Sequence, residues 1–107
     1  MRVIEKEMLK AVASGKNWSK DNTSVRHASE RADDFMPAFE YAVVYLHGHE
    51  IATVYHPSTS EEYVTVNLGT LQAWPTRTTM SRLRALGVDV CTRKGVVHLH
   101  GGPLSDY

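Results

Sequence analysis

Six histidines and a single cysteine are the residues of this chain best suited to chemistry. His47 and His49 stand two positions apart, as do His98 and His100, and alternate residues of a strand project from one face. With His56 at the end of the same hairpin as the first pair, these imidazoles form a candidate zinc set if the strand ends converge. Against it, Gly48 favours a turn that breaks the alternation, and no helix-borne or cysteine-containing zinc pattern accompanies the pairs. Cys91 beside a histidine is a candidate nucleophile, because a thiolate forms at neutral pH only near a base or a cation. Its setting, VDVCT, reads instead as a short strand in which a small apolar side chain packs. Asp33-Asp34 and Glu61-Glu62 are adjacent carboxylates that diverge on an extended chain and read as solvated loop charge. Neither a glycine-rich phosphate loop nor a nucleophile elbow is present. These residues point to a protein without catalysis, metal or cofactor.

Binding chemistry is better represented. Between Pro75 and Lys94, the cations Arg77, Arg82, Arg84, Arg93 and Lys94 face only Asp89. Arg77, Ser81 and Arg84 share one face of a helix starting at that point, and Thr76, Thr78 and Thr79 crowd its amide-rich start, an arrangement able to hold phosphate. The helix is too short for base reading in a groove, so the patch suits nucleic-acid backbone without sequence specificity. An acidic and apolar stretch, Asp33, Asp34, Phe35 and Met36, offers a second surface, suited to a protein partner. Tyr41, Tyr45, Tyr55 and Tyr63 fall on neighbouring strands, where tyrosines serve either as interface material or as cross-strand pairs.

The scaffold for these groups is legible from pattern. A chain of 107 residues with 42% apolar content supports one core and is expected to be a single domain. Twelve basic residues balance twelve acidic ones, so no global field draws it to nucleic acid or anionic membrane. One cysteine suits a reducing cytoplasm, and neither a signal peptide nor an apolar run long enough to span a bilayer is visible. Ile4, Met8, Ala11 and Val12 at helical spacing, followed by Gly15, predict an amphipathic helix over residues 3 to 14, with Arg2, Lys6 and Lys10 on its solvated side. Residues 15 to 24 read as a connection whose Trp18 folds back on the core, with a strand starting near Thr23. Residues 28 to 37 suit either a short helix or an acidic loop exposing Phe35 and Met36. Phe39 to His56 reads as a hairpin turning at His47-Gly48-His49, and residues 63 to 68 as a third strand. Residues 69 to 74 connect to a helix of about two turns capped by the threonines and stopped by Gly87. Residues 88 to 92 and 96 to 100 make a second hairpin, and residues 103 to 107 a frayed tail. The resulting class is α+β: an N-terminal helix, an antiparallel sheet of about five to six strands, and a second short helix on one sheet face, with residues 22 to 102 as the core. A sheet edge or face left uncovered in so small a domain is compatible with a homodimer.

Two hexamers, VVYLHG (43 to 48) and VVHLHG (96 to 101), differ at one position. Internal duplication is disfavoured because the elements between them do not repeat in order. The plainest reading is two strands that end in turns, with β-branched residues filling the strand, Leu packing inward and Gly supplying the turn.

The segment LHGHEIA (46 to 52), then Trp74-Pro75-Thr76-Arg77-Thr78-Thr79 with Arg82-Leu83, then GVVHLHG (95 to 101), resembles a group of small bacteriophage proteins. In that group an LHG-x-x-IA hairpin precedes a W-x-T-x-T-T-x-x-R-L helix start, and a closing strand ends in Leu-x-Gly. The similarity spans about residues 22 to 102 and is most specific from Trp74 to Leu83. His49 departs from the asparagine more usual in that turn, and His98 and His100 from aromatic or amide residues. The resemblance implies a phage origin and a small accessory protein acting in the host cytoplasm, and implies no reaction. Taken with the small size, the missing catalytic constellation and the segregated charge, it leads to an expected binder and modulator of a host macromolecule, such as a protein of defence, transcription or nucleic-acid processing, with nucleic-acid binding through the basic patch as the alternative.

Overall fold

The first element, α1, spans Val3–Ser14, with the bounds its periodicity predicts. The backbone N–H of Arg2 donates to Glu5 Oε1 (3.3 Å) at its start, and Gly15 ends it at φ 73°, a conformation glycine adopts without a Cβ penalty. Met8, Ala11 and Val12 are buried. The computed structural model describes residues 1–107, the side chain of Asp106 excepted.

Five strands follow as an antiparallel meander with spatial order equal to chain order: β1 (Trp18–Lys20), β2 (Thr23–Glu30), β3 (Phe39–Leu46), β4 (His49–Tyr55) and β5 (Tyr63–Val66). Period-two alternation divides the sheet into unlike faces. Val25 lies opposite Val44, His27 opposite Ala42, and Ala42 opposite Val54; Val25, Val44, Ala42 and Val54 are buried under the helices. His27 Nε2 lies 2.8 Å from the Ala11 carbonyl of α1, which fixes that helix over β2. A bulge at Val44/Tyr45 pairs Val44 with Ala52 but Tyr45 with Glu50, so Ile51 is the extra residue and both Ile51 and Ala52 are buried. The opposite face carries Tyr41, Val43, Tyr45, Tyr55 and Tyr63, half-buried or exposed.

Two helices, α2 (Leu68–Ala73) and α3 (Arg77–Ala85), lead to a second antiparallel sheet of β6 (Val90–Arg93), β7 (Val96–Leu99) and β8 (Gly102–Pro103), closed by a 3₁₀ turn over Leu104–Asp106. One apolar cluster runs from Met8 through Val25, Val44 and Leu83 to Val90, Leu99 and Leu104. Trp18 packs against it from β1, as its sequence setting predicts.

The structure refines the α+β expectation in five places. Residues 18 to 20 form β1, paired antiparallel with β2, inside the stretch read as a plain connection. The strands form two sheets, of five and three, and not one of five to six. Residues 28 to 30 continue β2, and the acidic segment beyond them is the exposed loop, not the helix. Residues 68 to 73 form α2 where the pattern predicts a plain connection, because the Asn67 side chain accepts from the Thr70 N–H (3.0 Å) and Leu71 is buried. The C-terminal residues are packed and not frayed: Gly102 pairs with Leu99, Leu104 is buried, and Tyr107 Oη donates to the Leu99 carbonyl (2.8 Å).

Candidate functional site

Two of the three segments that carry the phage resemblance, residues 46 to 52 and the stretch from Trp74, meet at one cleft. His47 (φ 52°) and Gly48 (φ 79°) occupy the central positions of the β3–β4 turn, the pair of positive angles that matches hairpin twist. The His47 N–H donates to the Asn22 carbonyl (2.7 Å), which holds the turn against the β1–β2 connection. His49, the first residue of β4, stacks its imidazole on the Trp74 indole with centroids 4.2 Å apart and planes inclined 25°. Trp74 is the residue where α2 stops, fixed by its N–H donating to the Thr70 carbonyl (2.8 Å), and it is 49% exposed. Thr76 then caps α3: its Oγ1 accepts from the Thr79 N–H (3.1 Å) and lies 2.9 Å from Thr79 Oγ1. Between the stacked rings and the threonines is a cleft of about 320 Å³, with Leu46 and Ile51 also lining it.

A second surface occupies the helix-free face of the large sheet. Tyr41 and Tyr55 have ring centroids 5.9 Å apart, and Tyr55 stacks on Tyr63 at 4.9 Å and 19°. Phe39 lies 6.2 Å from Tyr41, and His56 lies 6.1 Å from both Phe39 and Tyr63. Tyr41 Oη donates to Glu30 Oε1 (3.1 Å), and this hydrogen bond to a carboxylate, with the negative charge beside it, raises the phenol pKa above its ordinary value. The acidic loop joins this end of the sheet. Asp33 Oδ1 accepts from the N–H groups of Phe35 (2.8 Å) and Met36 (3.0 Å), a turn that leaves Phe35 96% and Met36 51% exposed. Phe39 and the His47 turn sit at opposite ends of β3, about 23 Å apart at 3.3 Å per residue, so the aromatic end and the cleft are separate places.

The basic patch is divided by the structure. Arg77, Arg84, Arg93 and Lys94 are exposed. Arg82 is 3% exposed: its Nη1 donates to Glu5 Oε2 (2.8 Å) and its Nε to Thr23 Oγ1 (3.0 Å), so it is removed from any phosphate-contacting surface. Ser81 donates to the same Glu5 oxygen (2.6 Å). Burial pushes the Glu5 pKa up, but hydrogen bonds from Ser81, Arg82 and Arg2 with the Arg82 charge outweigh it, and the carboxyl ends below its usual value. Sequence reasoning misses this tie of α1 to α3 and β2, although Glu5 shares a helical stripe with Met8 and Val12 and Arg82 lies between buried Thr79 and Leu83.

The remaining candidates are separated or used locally. His47 and His49 lie on either side of a turn glycine, and among the described residues no three His, Cys, Asp or Glu gather as a metal set. Cys91 is the cross-strand neighbour of His98, whose Nδ1 lies 3.0 Å from the Val96 carbonyl. Glu62 accepts from the Ser58 N–H (2.9 Å) and shapes the β4–β5 turn. No described helix is long and apolar enough to cross a membrane.

Fold and surfaces together define a small α+β protein whose sheet is helix-backed on one side and aromatic on the other, with a cleft at one turn. The chain belongs to the Kyanoviridae Gp96 protein family, whose model matches residues 1–103, and is thus a bacteriophage protein. No curated protein and no solved structure matches it.

Proposed function

We propose that this phage protein is a non-enzymatic accessory factor of the host cytoplasm that binds and modulates a host protein through the aromatic face of its five-stranded sheet. The observation that carries the reading is the row Phe39, Tyr41, Tyr55 and Tyr63, uncovered by any helix and continuous with the exposed Phe35 loop. Large, rigid aromatic rings confer binding energy at low entropic cost and are enriched at interface centres. Glu30, Asp33, Asp34, Glu40, Glu61 and Glu62 surround that end of the sheet, which favours a partner presenting basic side chains around an apolar segment.

The test is affinity capture from host lysate with the wild type and with a Phe35→Ala/Tyr63→Ala variant. Both positions are exposed, Tyr63 by 52%, so the fold should survive, and the expected result is a stoichiometric partner recovered by the wild type alone. Charge reversal at Asp33 and Asp34 should weaken capture further at low salt than at high salt. Equal recovery by all variants would place the contact elsewhere. A homodimer using this face is the competing occupant, and sedimentation that shows a wild-type dimer dissociated by Tyr63→Ala would favour it instead.

A further inference from the structure

We infer that the cleft at the first His-Gly turn seats a nucleobase, with the attached phosphate reaching Arg77 at its rim; this site stands apart from the proposed host-protein surface. Its volume of about 320 Å³ lies at the lower end of small-ligand sites, enough for one ring system and its immediate substituent. One wall is aromatic, the His49–Trp74 stack, and its half-exposed indole offers π-surface to a flat guest. Leu46 and Ile51 supply apolar lining, and Thr70 and Thr78 supply hydroxyls, while the Thr76 and Thr79 hydroxyls already engage one another at 2.9 Å.

That division of chemistry selects among guests. None of the cleft-lining residues is Asp, Glu, Lys or Arg, so the seated group is neutral and neither a free phosphate nor a metal ion is matched within it. A purely aliphatic guest leaves the hydroxyls and imidazoles without partners, and a monosaccharide brings more hydroxyls than this lining can satisfy. A base has π-faces for the indole and a polar edge for the threonines and His47. Charge enters only beyond the rim. Arg77 is exposed between Thr76 and Thr78 in the chain, and among the described residues it forms no ion pair. Arg84 comes two helical turns later, about 10 Å along the axis, and its Nε donates to the Val90 carbonyl, which places it against β6. Base in the cleft and phosphate on Arg77 thus combine a stacking platform with a cationic track, the pairing that holds unpaired nucleotides.

The shared chemistry of a free nucleotide and of a single strand is separated by titrating the full chain with nucleoside 5′-monophosphates, an oligodeoxythymidylate, and a duplex of equal length. Binding is monitored by tryptophan fluorescence and, independently, by calorimetry at low salt. Saturable quenching by mononucleotides as strong as by the strand assigns a free nucleotide; quenching by the strand with much weaker response to monophosphates assigns single-stranded nucleic acid. Either outcome supports the inference. His49→Ala and Thr78→Val should each weaken binding, the loss at the stack being about 5- to 100-fold, with the thermal melt checking that each variant is folded. Arg77→Ala should weaken it and reduce its salt dependence, whereas Phe35→Ala should leave it unchanged. The inference is overturned by no binding of any probe in the millimolar range, by duplex binding as tight as the strand, or by binding that survives both His49→Ala and Thr78→Val in folded protein.

Discussion

VVYLHG and VVHLHG end in the same backbone and serve different ends. His47 and Gly48 have φ of 52° and 79°, and His100 and Gly101 have φ of 52° and 85°. In both, the histidine N–H donates to a carbonyl of a neighbouring segment, Asn22 at 2.7 Å and Asp89 at 2.8 Å. The chain beyond each turn separates them. The first continues into β4, in the interior of the large sheet, and its mooring residue Asn22 lies beside Thr23 and the buried Arg82–Glu5 pair. The second continues into the two residues of β8 and is secured by Leu104 and Tyr107. A hexamer therefore encodes a strand and its reversal, while the surroundings decide whether the turn borders a cleft.

The largest contrast between the turns should come from removing the mooring of the first. Arg82→Ala leaves the Glu5 carboxylate buried without its cation and should destabilise the protein by about 3–5 kcal/mol in chemical denaturation. Replacing the pair together, as Glu5→Leu/Arg82→Met, should recover most of that loss, because neither charge is then stranded. The same pair sets an acid limb. Glu5 has a folded pKa below its unfolded value near 4.5, so its contribution is complete above that pH and disappears as pH falls through the folded value. Denaturant midpoints measured downward from pH 7 should fall more steeply in the wild type than in Glu5→Gln. Parallel slopes would show that the pair does not govern acid stability.

Removing the mooring of the second turn should cost less. Leu104→Ala deletes a buried side chain near the chain end, for an expected loss of about 2 kcal/mol, and should speed amide exchange at His100 and Leu99 while leaving His47 protected. An unchanged melt would return the last residues to the status of a frayed tail.

The unequal legibility of these parts has a physical cause. The α1 helix and both hairpins are written locally: Met8, Ala11 and Val12 repeat at helical spacing, Gly15 stops the run, and glycine marks each turn. By contrast, α2 has six residues with only Leu71 buried, too few for a period, and Asn67, which caps it, reads equally well as the end of YVTVNL. Leu104 is a lone apolar residue among glycine, proline and serine, and its burial depends on a core assembled from distant segments, beginning with β7. Arg82 reads as surface charge because its partner is 77 positions away. The cleft is half visible: its two segments stand out in the sequence, but the stacking of His49 on Trp74 needs β4 and α2 already in place.

Smaller effects are expected from the turn glycines themselves. Gly48→Ala and Gly101→Ala each force a Cβ onto a left-handed residue, and since no atom beyond the adjoining residues lies within 4 Å of where that Cβ would sit, the cost is conformational alone. About 1–2 kcal/mol is expected at both, equal within error in matched melts. A larger loss at Gly48 would show that the first turn cannot relax without disturbing β4.

The least perturbing pair is the most discriminating. Asparagine tolerates the left-handed conformation that His47 and His100 adopt, so His47→Asn and His100→Asn should each change stability by less than about 0.5 kcal/mol. Their backbone bonds to Asn22 and Asp89 involve only the main chain and should persist in both variants. The imidazole of His47 borders the cleft, whereas that of His100 is exposed beyond the second sheet. Two substitutions of the same kind, on the same backbone, with the same thermal consequence, should thus differ in one readout: nucleotide binding should weaken with His47→Asn and stay at the wild-type level with His100→Asn. Equal weakening would mean that the turns act on the ligand through something other than the cleft, and equal indifference would mean that the base sits against Trp74 without using the turn at all.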